Sequence, residues 1–150
     1  METAVSEGYE GSMGKLARPE FAGISHVSLS VRDRDNSRDW YERILGFRML
    51  EESREDDYIE WILVHPDNRM ILCLQQHTRN QAEPFDPTRT GGDHYGLKVE
   101  SRDRLDEWAA WFATNDVVHS PIVDRDYGSV LCFKDPDGIQ LEMFYREGHP

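Results

Sequence analysis

His26 and His94 each open a run in which polar and apolar residues alternate. His26, Ser28 and Ser30 oppose Val27, Leu29 and Val31; His94, Gly96 and Lys98 oppose Tyr95, Leu97 and Val99. Alternation with a period of two marks a strand with unlike faces. If the apolar rows pack inward, both imidazoles lie on the opposite face. A third residue of suitable chemistry stands in IQLEMF, where Gln140, Glu142 and Phe144 share the face opposite Ile139, Leu141 and Met143. A carboxylate among apolar neighbours is expensive to bury unless it is paired or bound to a metal. Two neutral imidazoles and one carboxylate form a facial set that leaves coordination positions open. An ion held in this way can polarise a chelated oxygen or acidify a bound water. His26, His94 and Glu142 are therefore expected to hold one divalent ion, with Fe, Mn, Zn, Ni and Co all compatible.

The elements that must position these residues are repeated. HVSLSVRDRDNSRDW and HYGLKVESRDRLDEW, which start at His26 and His94, align without a gap. The alignment pairs His26 with His94, Leu29 with Leu97, Val31 with Val99, Arg34 with Arg102, Asp35 with Asp103 and Trp40 with Trp108. Each copy reads as a strand followed by a helix. The first helix is expected to be capped by Asp35 or Asn36 and stopped by Gly46, with Trp40, Tyr41, Ile44 and Leu45 as its apolar stripe. The second is expected to be capped by Ser101 and to end at Asn115, with Leu105, Trp108, Ala109 and Phe112 inward. Three short strands should follow each helix: Phe47–Glu51, Tyr58–Val64 and Met70–Gln75, then Val117–His119, Ser129–Phe133 and Ile139–Tyr145. HPDN and DPDG supply turn signals between them. The pattern is βαβββ twice. Module one is expected at about 24–77 and module two at about 94–146. The linker 78–93 carries Pro84, Pro87, Gly91 and Gly92. Residues 1–20 show neither period and read as a disordered or loosely packed tail, leaving 21–150 as a single domain.

Composition narrows the partners. Seventeen basic against 29 acidic residues give a net charge of −12, which disfavours nucleic acid or an anionic membrane surface. A chain of 150 residues buries roughly two thirds of its unfolded surface, enough for a core without staples. Cys73 and Cys132 sit in the apolar runs MILCL and VLCF and read as small hydrophobes. With no disulfide framework and no long apolar run, a cytoplasmic location is expected. His65, His77 and His119, at turns and strand ends, read as solvated.

The stretches ISHVSLSVRD, SRDWYERILGF, DHYGLKV and YGSVLCFKDPDGIQLEMFY resemble the vicinal-oxygen-chelate superfamily of glyoxalases, extradiol dioxygenases, fosfomycin-modifying enzymes and bleomycin-binding proteins. They cover most of residues 24–145. The resemblance implies an α+β fold in which the two βαβββ modules form a barrel-like sheet with the helices outside, usually in a homodimer. It implies His26, His94 and Glu142 as metal ligands. It also implies a divalent-metal-dependent enzyme that chelates vicinal oxygens of a small substrate by isomerase, lyase or dioxygenase chemistry. The alternative is an antibiotic-binding or resistance protein, with Trp61, Tyr58 and Tyr127 near its groove. Glyoxalase I carries a further carboxylate on the fourth strand of module one, where MILCLQQH has none; Gln75 is the candidate weak fourth ligand or water holder. Ser28, Arg125 and Tyr127 are the candidate substrate contacts, and no catalytic base is evident.

Overall fold

The computed structural model describes residues 17–149. Most of the expected tail lies outside these residues; 17–20 are exposed and belong to no helix or strand. The elements are β1 (Val27–Ser30), α1 (Arg34–Leu45), β2 (Arg48–Arg54), β3 (Tyr58–Val64), β4 (Ile71–His77), β5 (His94–Lys98), α2 (Asp103–Thr114), β6 (Val123–Arg125), β7 (Gly128–Lys134) and β8 (Gln140–Tyr145). They form two four-stranded sheets, ordered β1-β4-β3-β2 and β5-β8-β7-β6. In each, one parallel pair, β1 with β4 and β5 with β8, is extended by antiparallel neighbours. This is the expected α+β duplication, but the sheets do not close into one barrel. β1 and β5 are edge strands, bonded only to β4 and β8 respectively.

Three local expectations shift. The cap of α1 is Asp33, whose carboxylate accepts from the backbone N–H groups of Asp35 and Asn36 at 3.0 Å. A cap must precede the first helical residue, and Arg34 is already helical. Gly46, at φ 79°, ends this helix in the left-handed region as expected. Ser101 does not cap α2, which begins without a side-chain cap after Arg102. The strand expected at Val117–His119 is reduced to one bridge, His119 to Phe133, and pairing resumes at β6. Pro121 between them has no N–H to give to a ladder.

The apolar rows meet between the modules. Leu29, Val31, Leu72 and Leu74 from the first sheet and Leu131, Phe133, Leu141 and Met143 from the second are buried in one cluster with Tyr41, Ile44, Leu105 and Phe112. Polar contacts lock this seam. Trp111 donates its ring N–H to the Ile44 carbonyl at 2.9 Å. Asp137 accepts from the Arg32 guanidinium at 2.8 Å and from the Ser37 hydroxyl at 3.2 Å. The linker is docked: Phe85 N–H bonds to the Asp137 carbonyl at 3.0 Å, and the Asn80 amide to the Val31 carbonyl at 3.3 Å.

At the centre of the seam the buried Tyr41 hydroxyl donates to Asp135 Oδ2 at 2.9 Å, while Oδ1 accepts from the N–H groups of Asp137 and Ile139. Burial pushes the Asp135 carboxyl from its ordinary 3.8 up to about 6, and these hydrogen bonds only partly oppose it. The folded protein therefore holds this proton better than the unfolded chain. The resulting stability is complete below pH 3.8 and is lost as pH rises through about 6. Urea titrations across that interval should show wild type losing stability relative to Asp135→Asn. Tyr41→Phe should lower stability by about 1–3 kcal/mol at neutral pH, because a buried carboxylate loses a donor.

Candidate metal centre

His94 opens β5 with Nδ1 2.6 Å from Asp93 Oδ1. An ionised carboxylate only accepts, so Nδ1 carries the hydrogen and, in the neutral ring, Nε2 keeps its lone pair. That nitrogen lies 3.8 Å from Glu142 Oε2 on the neighbouring β8. Strand pairing explains the approach: His94 lies opposite Gln140 and Gly96 opposite Glu142, so both side chains leave the same face of the sheet. The Asp93 hydrogen bond raises the His94 pKa against the opposing effect of burial, with the Glu142 charge adding to the rise. Gln140 Nε2 at 3.2 Å and Cys132 Sγ at 3.6 Å approach Glu142 Oε1. Cys132 is thus more than filler in an apolar run.

His26 immediately precedes β1, exposed, with Nδ1 2.8 Å from the Ser25 hydroxyl. Ser28 shares its face and is also exposed. Among the described residues no three His, Cys, Asp or Glu side chains gather closely enough to hold an ion. One chain therefore joins two of the three expected ligands and leaves the third on the other sheet.

The two sheets compare residue by residue. Ser28 pairs with Cys73 as Gly96 pairs with Glu142, so the internal counterpart of Glu142 is Cys73. Gln75 lies one row further along. Its amide donates to Glu60 Oε2 at 2.9 Å, and Glu60 pairs with it across β3. Glu60 is only 8% exposed, and sequence reasoning missed it. The signal was present in YIEWILV, where Tyr58, Glu60 and Ile62 share a face and an acid interrupts apolar company. Asp93 was likewise passed over.

Arg125 ends β6, and Tyr127 stands in the turn to β7 with its ring stacked on Phe144 at 6.4 Å and 17°. Gly128, at φ 149°, permits this packing: a Cβ there would meet the Tyr145 carbonyl oxygen at 2.5 Å and the Phe144 ring at 2.7 Å. Trp61 lies apart from these rings on the helix side of its sheet, with the Arg34 and Arg38 guanidinium groups 4.5 and 4.9 Å from its ring centroid, and donates to Asp35. Tyr58, by contrast, shares the outer face of Glu60. The remaining histidines have partners: His65 bonds to the Leu45 carbonyl, His119 to the Ser120 carbonyl, His77 packs on Tyr58, and His149 meets the Phe144 ring edge-on with centroids 6.0 Å apart.

A sequence model of the Glyoxalase/Bleomycin resistance protein/Dioxygenase superfamily matches residues 23–143. The chain belongs to this superfamily. A glyoxylase/bleomycin resistance protein/dioxygenase domain from Frankia sp. EAN1pec is 34% identical, with a TM-score of 0.79 over 85% of this chain and all of that one. A putative ring-cleaving dioxygenase, MhqA of Bacillus subtilis, is 27% identical over 81% of this chain, which spans only 39% of that protein's length. Metallothiol transferase FosB of Staphylococcus haemolyticus is 24% identical over 85% of this chain and 94% of its own.

Superfamily members typically use a divalent metal, and the donors present fit one. Asp93 fixes the His94 tautomer, leaving Nε2 and the Glu142 carboxylate to converge, an arrangement typical of ligating histidines. Gly128→Ala should cost about 1–3 kcal/mol through its left-handed backbone and the ring it would displace. Urea unfolding measures this, and a value within error of wild type would contradict the packing described.

Proposed function

We propose that this protein is a divalent-metal-dependent enzyme acting on a small oxygen-rich substrate, with each centre assembled between two copies of the chain. His94 and Glu142 come from one copy and His26 from the other. The reading rests on the approach of His94 Nε2 to Glu142 Oε2 within one module, while the seam between modules keeps His26 on the outer face of the other. Fe, Mn, Zn, Ni and Co all suit the set. A divalent ion bound there would polarise the adjacent oxygens of the substrate. Asp93 orients His94, and Ser28, beside His26, contacts the substrate. Glu60, buried with one side-chain donor, Gln75, on the outer face of module one, is the proton acceptor. A carboxylate in that role serves isomerase and lyase chemistry and the deprotonation of a phenol alike. Among the described residues no helix is long and apolar enough to cross a membrane; the proposal is a cytoplasmic homodimer working on a small molecule.

Protein purified without a metal-affinity step should carry about one divalent ion per chain by elemental analysis. Chelation should remove activity and lower stability, by about 2.7 kcal/mol relative to protein with free metal at 100 times its Kd. A sequestering protein of the bleomycin-binding kind would be indifferent to chelation. Asp93→Ala should weaken metal binding about 10–100-fold. Mixed dimers of His26→Ala and His94→Ala chains should regain one intact centre of two, since the intact His26 of one chain meets the intact His94 of the other. No recovery, with both parents still dimeric, sinks the shared centre. Glu60→Gln should lower turnover about 10²–10⁴-fold and leave bound metal unchanged.

A further inference from the structure

Gln140 and Cys132 both meet the same one of the two Glu142 oxygens. Register places them there: Cys132 on β7 stands directly opposite Glu142, and Gln140 precedes it by two residues on β8. Side chains two apart on a strand share a face, as do those of a cross-strand pair. Gln140 Nε2 donates to Glu142 Oε1 at 3.2 Å, and the Cys132 thiol donates to the same oxygen at 3.6 Å. Oε2 is turned instead to His94 Nε2, 3.8 Å away. The thiol is itself held in place. The Ser120 hydroxyl accepts the Cys132 backbone N–H at 3.0 Å, and the Ser120 N–H donates to the Cys132 carbonyl at 2.8 Å. Module one has the same row without these donors. There Cys73 takes the place of Glu142, with Ile62 opposite it and Ile71 two residues before it. The donor pair thus accompanies the carboxylate and is missing where the carboxylate is missing.

We infer that Cys132 and Gln140 are positioning residues that commit Glu142 Oε1 to the protein, so that Oε2 alone is offered to the divalent ion. The inference rests on the proposed metal centre. An ionised carboxylate only accepts, and one of its oxygens can take the amide and the thiol together. Hydrogen bonds to an ionised acceptor are the stronger kind, so swinging Oε1 onto the ion would sacrifice both. Cys132 acts here as a hydrogen-bond donor and not as a ligand. Each protein donor then supplies a single atom. A one-oxygen grip leaves open a position that a two-oxygen grip would fill, and the ion keeps room for a further small ligand beside the chelated oxygens of the substrate.

Spectroscopy of the dimer loaded with Co²⁺ reads the grip directly. In wild type, the metal-minus-apo infrared difference spectrum should show the wide splitting of antisymmetric and symmetric carboxylate stretches that marks a one-oxygen donor. The near-ultraviolet spectrum should lack a thiolate-to-cobalt charge-transfer band. Cys132→Ala and Gln140→Leu should each weaken Co²⁺ binding about 10–100-fold. Combined, they should narrow the splitting as Oε1 turns to the ion. Cys132→Ser, which keeps a donor, should retain both the wild-type splitting and the wild-type affinity. A narrow splitting in wild type, a thiolate-to-cobalt band, or weakened binding with an unmoved splitting in the double variant overturns the inference and leaves the metal centre standing. The wild-type spectra decide the matter even where the double variant fails to fold. Wild type that takes up no Co²⁺ overturns the centre itself, and the inference with it.

Discussion

Leu29 on β1 and Val31 just after it, together with Leu141 and Met143 on β8, must leave water, and strand geometry then fixes where their neighbours point. Side chains alternate, so burying these rows sends His26, Ser28 and Ser30, and likewise Gly96, Glu142 and Phe144, to the opposite faces. The site is in this sense a by-product of the core. α1 and α2 cover the apolar rows from within, and the Tyr41–Asp135 and Trp111–Ile44 bonds then fix the modules with their buried faces together. Once that seam is closed, the two polar faces belong to different sides of the molecule.

This arrangement gives the similar halves unlike outer faces. Module two holds a prepared pair of donors, with Asp93 fixing one and Gln140 touching the other. Module one offers His26, the Ser28 hydroxyl and the buried Glu60 carboxylate, with His77 further along the same face. The similarity to a putative ring-cleaving dioxygenase and to a metallothiol transferase is consistent with a shared frame whose face residues set the chemistry.

Much of this was legible in the sequence because strand and helix periodicities are local. The repeat starting at His26 and His94, the stripe of Tyr41, Ile44 and Leu45, the stop at Gly46 and the facing of Glu142 all follow from spacing alone. What depended on distant partners was not legible. The position of β6 was set by Pro121 interrupting a ladder whose other strand lies beyond it. The counterpart of Glu142 could be found only from the pairing of Ser28 with Cys73. Gln75 drew notice as a polar residue on the right strand, yet register pairs it with Glu60. Spacing also could not show that the seam would separate His26 from His94 and Glu142, since alternation assigns a residue to a face but not to a neighbour.

That module one carries a thiol, Cys73, where module two carries the Glu142 carboxylate bears on charge as well as on the number of donors. A centre enclosed by two carboxylates and two imidazoles would be electrically neutral around a divalent cation. A divalent cation held with Glu142 as its one anionic donor would keep one unit of positive charge uncompensated by its ligands. Such a surplus would attract negative charge on any oxygen brought to the cation.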